Sequence, residues 1–350
     1  MPRNVRPTLM SLASCYPLLL LGLSAVQKLR PRRRGLLALS SVFAPYLFFP
    51  LVLLLPAARR RDARFLHTGL LACAAVYLAR FTPPLYVRPR RPMPGARRFS
   101  VLTWNVLYRN PRIAELRGFL ATVPAEVVAL HEVTPALADL IANDSTLARG
   151  YPHQILCPYD RGSGLALLSR YPILEHSAID LPPALRVRLD LGAGQTVTIV
   201  SAHPTFGDPR NLRPIPARDN LLMAQLRRIV DPRFLRYDPS HRDLGIAYVR
   251  ALVEPLLRQS ESLVLVGDFN VTEREPAYRE LTAGLQDAHR RAGFGSGHTW
   301  RPEWMANLPF GLLRIDYLFS TPDLRPLHAS VDCMPRGSDH FIVQAEFELM

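Results

Sequence analysis

Cysteine is scarce in this sequence, and acidic side chains are almost missing from its first 98 residues. Four cysteines, with no CxxC pair and no Cys/His group at zinc spacing, predict neither a structural zinc site nor a disulfide framework. Asp62 is the one acid against 17 basic residues before residue 99, so this segment carries a net charge of +16. The rest of the chain carries −2, which argues against a catalytic region that binds nucleic acid through a large positive surplus.

Charged residues are also missing from two long apolar runs near the N-terminus, Thr8–Gln27 and Gly35–Leu55. Each run is about 20 residues long, which is the length that an apolar helix needs to cross a bilayer. A third run, Phe65–Ala79, is shorter. The pattern predicts a membrane anchor over residues 1–86 with two or three transmembrane helices, and the prolines inside the runs are compatible with it because membrane helices tolerate proline.

The basic residues around these runs leave the orientation of the anchor open. Short cytoplasmic loops normally carry the excess of Lys and Arg, but here basic clusters flank every run. Arginine supplies 42 of the 43 basic residues, which is typical of GC-rich bacterial genomes. We therefore expect an integral, multi-pass protein of the bacterial cell membrane, with the side of its downstream domain undecided.

The Pro- and Arg-rich stretch VRPRRPMPGARR, residues 87–98, predicts an exposed linker, and residues 99–350 are expected to form the catalytic domain. Short apolar runs rich in β-branched residues alternate there with helical patterns, which indicates a mixed α/β domain. The predicted strands are FSVLTWNVL, AEVVALHEV, GLALLSRYPI, LRVRLDL, QTVTIVSAH, SLVLVGDFN, RIDYLFST and SDHFIVQAEFEL. The predicted helices cover residues 113–121, 135–143, 217–230, 243–259 and 276–292.

Polar residues stand at the ends of several of these apolar strands, where packing of a core alone does not explain them. They are Asn105, Glu132, His203, Asp268 and Asn270 at strand ends, and Asp339 and His340 at a strand start. Burying one carboxylate without a partner would cost several kcal/mol, so such acids are expected to converge on a cation or on shared partners.

The ordered set of these motifs resembles the endonuclease/exonuclease/phosphatase family over about 250 residues. The set comprises WN (104–105), Glu132, GLALLSRYPI (164–173), SAHP (201–204), GDFN (267–270), RIDY (314–317) and SDH (338–340). The family includes DNase-I-like nucleases, apurinic endonucleases, inositol-polyphosphate phosphatases and sphingomyelinases. The resemblance implies a two-sheet β-sandwich flanked by helices, in four α/β/β/α layers, here preceded by a helical transmembrane segment.

The resemblance also implies a divalent-metal site in this domain. Glu132, assisted by Asn105, would bind the ion, and Asp339 would complete the polar shell or a second metal position. Magnesium suits hard oxygen ligands of this kind, with manganese as the alternative.

The remaining motif residues are expected to act on the phosphoester itself. Asp268 would orient or deprotonate the attacking water, and Asn270 would donate a hydrogen bond to the phosphate. His340, paired with Asp316, would stabilise negative charge on the phosphate oxygens. His203 would donate to a phosphate oxygen or protonate the leaving group.

Two features depart from the family pattern. Gln usually precedes the metal-binding Glu, whereas His131 precedes Glu132 here. A longer segment, Val230–Asp243, follows the helix predicted after His203 and is expected to form a lid or a loop that contacts substrate or membrane.

Three functions are compatible with these residues. The favoured one is hydrolysis, at a membrane, of a lipid-linked phosphate or pyrophosphate or of a phospholipid headgroup, with membrane lipids as partners. A membrane-tethered nuclease is disfavoured by the charge of −2 beyond residue 98. An inactive scaffold domain is disfavoured further because the ligand set is complete. The sequence leaves the oligomeric state open.

Overall fold

A computed structural model of the chain describes residues 5–59, 63–85, 90–160, 162–180, 183–205 and 237–350. The chain divides into two compact units, of which the first comprises the residues up to Pro83 and short downstream segments. Its helices are α1 Val5–Leu29, α2 Gly35–Val42, a 3-10 helix Ala44–Leu54, α3 Leu55–Ala58 and α4 Arg64–Phe81.

The predicted integral, multi-pass membrane location is wrong. Among the described residues, no single helix is long and apolar enough to cross a bilayer, and only the pair Gly35–Val42 with Ala44–Ala58, bent by 75°, passes such a test together. The second apolar run breaks at Phe43, where the backbone leaves the helical region directly before Pro45. Proline removes a helical N–H donor and clashes with the preceding turn, so uncharged length did not translate into one straight helix.

The second unit contains two six-stranded sheets, each of which is mixed. Sheet A has the order β11-β12-β1-β2-β4-β3, and sheet B has the order β5-β6-β7-β8-β10-β9. The strands are β1 Arg98–Asn105, β2 Val127–His131, β3 His153–Cys157, β4 Leu165–Ser169, β5 Ile173–Ile179, β6 Ala184–Gly192, β7 Gln195–Ala202, β8 Leu263–Asp268, β9 Gln286–Asp287, β10 Asp316–Ser320, β11 Leu324–Asp332 and β12 Ile342–Leu349.

Helices flank the two sheets, on their outer faces except for one short helix, whose Ala288 packs in the core between the sheets. They are α5 Ile113–Thr122, α6 Pro135–Asn143, α7 Ser145–Gly150, α8 Ser240–Arg258, α9 Pro276–Leu281 and α10 Ala288–Ala292, with a short 3-10 helix at Glu303–Met305. Two of these helices begin at an N-cap residue. The Thr134 and Asp144 side chains accept hydrogen bonds from backbone N–H groups in the first turns of α6 and α7.

Three apolar clusters hold the layers together. The largest lies between the sheets and joins residues such as Val101 of sheet A to Ile199 of sheet B. A second packs α5 to α7 on the outer face of sheet A. A third packs α8 and α9 on sheet B. This arrangement confirms the predicted sandwich of two sheets flanked by helices.

The structure differs from the sequence prediction in several elements. The helix predicted over residues 276–292 is split, because Gly284 adopts a φ of +78° and Gln286–Asp287 pair with β10 as β9. The segment GLALLSRYPI supplies the whole of β4 in sheet A and the first residue of β5 in sheet B. Residues 217–230 and the first half of Val230–Asp243 lie outside the described residues, and the second half leads into α8 at Ser240.

Candidate functional site

The eight predicted site residues lie at one edge of the sandwich and form a connected group. Two parallel pairs, β1 with β2 and β7 with β8, bring the carboxyl ends of those strands to this edge. Their antiparallel neighbours β12 and β10 begin there, and the register places Asp268 opposite Asp316. The polar strand ends of the sequence therefore converge because of sheet topology.

Asn105 connects two carboxylates from different sheets. Its amide nitrogen donates to Glu132 Oε1 at 2.9 Å and to Asp268 Oδ2 at 3.0 Å. Its amide oxygen accepts from the backbone N–H of Leu107 at 3.0 Å. The other oxygen of Glu132 accepts from the backbone N–H of Tyr108 at 3.0 Å, so the Glu132 carboxylate is held at both ends.

The backbone around these side chains is strained. Leu107, Glu132 and Asn270 have φ angles of 63°, 63° and 52°, which non-glycine residues seldom adopt. Gly267 precedes Asp268, and a Cβ atom there would lie 1.9 Å from the carbonyl oxygen of Ala202. Strain of this kind persists where the surrounding structure enforces it, and it concentrates at functional sites.

His340 is surrounded by acids. Its Nδ1 lies 2.9 Å from Asp316 Oδ2, and its Nε2 lies 3.6 Å from Asp268 Oδ2 and 4.0 Å from Asp339 Oδ1. Burial alone would lower the pKa of His340, but the three carboxylates outweigh burial and raise this pKa well above its usual value. Burial raises the pKa of Asp316, whose Oδ1 has no hydrogen-bond partner among the described residues.

Asp268 contacts both histidines of the site. The His203 Nε2 atom lies 3.4 Å from Asp268 Oδ2. Burial would raise the pKa of Asp268, but the charges of His340 and His203 lower it below its usual range. The same contact raises the pKa of His203 although burial opposes it. Asn270 donates its backbone N–H to Asp268 Oδ1 at 3.0 Å, so its side chain is anchored beside this carboxylate.

Asp339 lies at the opening of the group and is the least compensated of its acids. Its Oδ2 accepts from the Trp300 indole N–H at 3.2 Å. Burial raises the pKa of Asp339 to about 7, with His340 opposing the shift and Glu132 adding to it. A bound cation would relieve this excess of negative charge.

The donor set fits a divalent ion. The ligand atoms of Asp268, Asp316 and His340 all lie within 4.8 Å of one another. Glu132 and Asp339 add two more carboxylates at the same edge. Carboxylate oxygens are the ligands that magnesium and manganese prefer.

Three further residues support this group, of which the sequence offered Thr299 as a lining residue and gave no sign of Arg301 and Arg242. The Thr299 hydroxyl accepts from the backbone N–H of Asp316 at 3.3 Å. The buried Arg301 guanidinium donates to the carbonyl oxygens of Ser338 and Asp339, and the buried Arg242 donates to that of Asn270 at 2.9 Å. Buried arginines are rare, so composition and periodicity carry no signal for them.

His131, which replaces the usual Gln, lies beneath the group and bridges the two sheets. Its Nε2 lies 3.0 Å from the Ser201 hydroxyl, and its Nδ1 lies 3.5 Å from the Thr103 hydroxyl. Burial, together with the nearby His203, lowers the pKa of His131 to about 3. The ring is therefore neutral at physiological pH.

Comparison with known proteins supports the predicted resemblance. The sequence pattern of the Endonuclease/Exonuclease/phosphatase family matches residues 102–340, which span every strand end that contributes to the group. No curated protein sequence matches the chain.

Solved structures share the fold at low sequence identity. TDP2 of D. rerio, complexed with a single-strand DNA product, is 19% identical, with 71% of this chain and 98% of that chain covered at a TM-score of 0.51. The 3'-5' exonuclease NExo of Neisseria meningitidis is 21% identical, with 71% and 99% covered at 0.51. A family protein of Bacteroides thetaiotaomicron is 14% identical, with 73% and 99% covered at 0.51.

Proposed function

Since the chain belongs to the endonuclease/exonuclease/phosphatase family, we propose that it is a divalent-metal-dependent phosphoester hydrolase. The observation that carries the proposal is the imbalance of charge at the site. Four carboxylates, those of Glu132, Asp268, Asp316 and Asp339, face two histidines. When all four carboxylates are ionised, the group retains two negative charges even if both imidazoles are protonated, and one divalent cation balances that charge.

Glu132 and Asp339 are the proposed ligands of this cation, and Asn105 orients Glu132. The ion is proposed to be magnesium, with manganese as the alternative. When bound, it supplies charge neutralisation to the phosphate oxygens. Asp316 Oδ1, which lacks a hydrogen-bond partner among the described residues, is a further proposed ligand of the cation.

The remaining side chains are proposed to handle the proton and the phosphate. Asp268, whose lowered pKa keeps it ionised, orients or deprotonates the attacking water. His340 is held by Asp316 at 2.9 Å and donates to a phosphate oxygen as negative charge builds there. His203 protonates the leaving oxygen, and Asn270 donates a hydrogen bond to the phosphate.

The proposed substrate is a lipid-linked phosphate or pyrophosphate, or a phospholipid headgroup. The charge of −2 over residues 99–350 supports this class, because a duplex binder needs a positive surface. A nuclease is the second candidate, and it is supported by the DNA product bound to the D. rerio neighbour and by the exonuclease from Neisseria meningitidis.

The test is metal-dependent turnover by the purified protein and by Glu132→Gln, with Glu115→Gln on the exposed face of α5 as the matched control. We expect hydrolysis of bis(p-nitrophenyl) phosphate or p-nitrophenyl phosphate with Mg²⁺ or Mn²⁺, and none with EDTA. Glu132→Gln should lose about 100-fold or more of kcat/KM, as well as the rise in Tm that the metal causes.

Other outcomes separate the alternatives. Plasmid cleavage that Glu132→Gln abolishes, without hydrolysis of lipid phosphates, would favour the nuclease. A metal-induced rise in Tm without turnover on any substrate would favour a scaffold. Turnover that EDTA leaves unchanged would contradict the proposal.

A further inference from the structure

A cavity of about 380 Å³ opens between the two sheets beside the candidate site. One wall comes from the β3–β4 hairpin of sheet A, where Cys157 and Leu165 are paired on the same face. The opposite wall comes from the β5–β6 hairpin of sheet B, where Ala178 is paired with Leu185. The cavity is therefore a continuation of the inter-sheet core, exposed at the edge of the sandwich.

The lining of this cavity is aliphatic and almost uncharged. Leu165, Ala184 and Leu185 form a buried floor, each 3% exposed or less, and Tyr159 and Ile179 form an exposed rim. Burial and the nearby Asp180 raise the pKa of the Cys157 thiol, so that the thiol is neutral. Among the described lining residues, Asp180 is the one carboxylate and there is no Lys or Arg.

The cavity adjoins the site on two sides. Ser163 lines it and follows Gly162, where a Cβ atom would lie 3.5 Å from the Glu132 carboxyl carbon. Pro183 also lines it, and the Pro183 carbonyl accepts from the backbone N–H of His203 at 3.0 Å. A phosphate bound between Glu132 and His203 would thus carry its ester substituent towards the cavity.

One polar atom in the lining lacks a partner. The Ser163 hydroxyl is buried and has no hydrogen-bond partner among the described residues. Buried hydroxyl groups normally have partners, because leaving one unpaired costs about 1–3 kcal/mol in mutational data. Its position between the aliphatic floor and Glu132 suits the ester or ether oxygen of a bound substrate.

We propose that this cavity binds the aliphatic part of the alcohol that the scissile phosphate carries, which makes the chain selective for alkyl phosphoesters. The inference rests on the proposed function and narrows its substrate class. A nucleobase fits less well, because the floor offers no donor or acceptor for its edge. The Asp180 carboxylate in the lining also disfavours further phosphates of a nucleic-acid strand.

The experiment compares methyl, butyl and octyl phosphate, together with p-nitrophenyl thymidine 5'-phosphate, in the metal-loaded full chain. We expect kcat/KM to rise about threefold for each methylene that enters the cavity, and to level off once the cavity is full. Ala178→Trp, which fills the cavity from the exposed strand β5, should remove this dependence, so that kcat/KM for octyl phosphate falls towards that for methyl phosphate.

A matched control variant tests whether an introduced tryptophan disturbs the fold, and a second measurement detects binding without turnover. Ser177→Trp places the same ring on the opposite face of β5 and should keep the chain-length dependence. In the presence of EDTA, octyl phosphate should slow alkylation of Cys157 by N-ethylmaleimide, followed by mass spectrometry of its peptide, and methyl phosphate should not.

Each failure has a distinct signature. Equal kcat/KM for methyl and octyl phosphate, without protection of Cys157, would overturn the inference while turnover itself upheld the proposed function. A preference for the thymidine ester that Ala178→Trp abolishes would also overturn it, since a nucleobase would then occupy the cavity. Protection of Cys157 without any hydrolysis would support the cavity ligand and contradict the proposed function.

Discussion

Two groups of charged residues in the second unit, each with a buried centre, differ in how far their charges are balanced. The arginine-centred group consists of Glu273, Asp287, Arg290 and Arg314, so its acids and bases are equal in number. Arg314 donates to Asp287 at 2.5 Å and to Glu273 at 3.3 Å. The site group has four carboxylates and two histidines, with His340 2.9 Å from Asp316 and 3.6 Å from Asp268, and His203 3.4 Å from Asp268.

The difference separates a structural role from a functional one. In the arginine-centred group, Tyr278 donates to the remaining oxygen of Asp287 at 2.7 Å, so the pKa of Asp287 falls despite burial because Arg314 stabilises its charge. In the site group, burial raises the pKa values of Asp316 and Asp339, which means that the fold opposes their charge. Charge that a fold opposes indicates a missing cation or substrate.

The largest expected effect is on catalysis at the site group. Asp268→Asn keeps the size of the side chain but removes the carboxylate that contacts both histidines and the proposed water. We expect kcat/KM for p-nitrophenyl phosphate or its diester to fall about 1,000-fold, the range that general-base and electrostatic contributions span. Asp139→Asn, on the exposed face of α6, is the control. Near-full turnover by Asp268→Asn would contradict the functional role of the site group.

The same substitution in the arginine-centred group should instead affect stability. Asp287→Asn retains an oxygen that can cap α10 but leaves the buried Arg314 with a single carboxylate partner. Breaking a buried ion pair on one side typically costs about 3–5 kcal/mol. Urea unfolding should show this loss, while kcat/KM of the folded protein changes less than about fivefold. If Asp287→Asn were as stable as Asp139→Asn, the balance of charge in the arginine-centred group would not contribute to stability.

A smaller effect on stability is expected at Asp339, where removing the charge should stabilise the metal-free protein. Its pKa of about 7 in the folded state exceeds the value of about 4 in an unfolded chain, so the folded state binds more protons between these values. The metal-free protein should therefore lose stability as the pH rises from about 4 to about 7. In EDTA at pH 8, Asp339→Asn should be more stable than the unmodified protein by on the order of 2 kcal/mol.

This gain should disappear in two conditions. At pH 4 the Asp339 carboxyl is protonated in the folded protein, so Asn has no charge to remove. With saturating Mg²⁺ the unmodified protein should become the more stable one, because the ion balances the charge that Asn lacks. A stabilisation that is independent of pH and metal would arise from packing and would contradict the charge argument.

The sequence predicted the parts of this fold whose residues follow simple rules. Polar residues directly after β-branched runs located Asn105, Glu132, His203 and Asp268, because buried strands normally exclude such side chains. It missed β3, β9 and β11, whose patterns are short or interrupted. It also missed Arg301 and Arg242, because which arginine becomes buried depends on carbonyl groups that are contributed by distant segments.

The prediction of secondary structure failed most clearly where a proline or glycine ended a helix inside a long apolar or helical sequence pattern. Gly35–Leu55 has the length and composition of a membrane span, yet the helix ends at Val42 and continues as a 3-10 helix that contains Pro45 and Pro50. Residues 276–292 likewise have helical periodicity, and the positive φ of Gly284 interrupts it. A hydrophobic pattern is read as an average over many residues, whereas a single proline or glycine can end a helix.

The pairing of β12 with β1 has a consequence for how the protein acquires its activity. These strands are separated by more than 200 residues, and His340 reaches the site only when β12 lies beside β1. Contacts of such high sequence separation form slowly, and they are completed late in folding. A chain in which α5, β2 and β4 have folded but β12 has not yet paired with β1 would therefore still lack His340 at the candidate site.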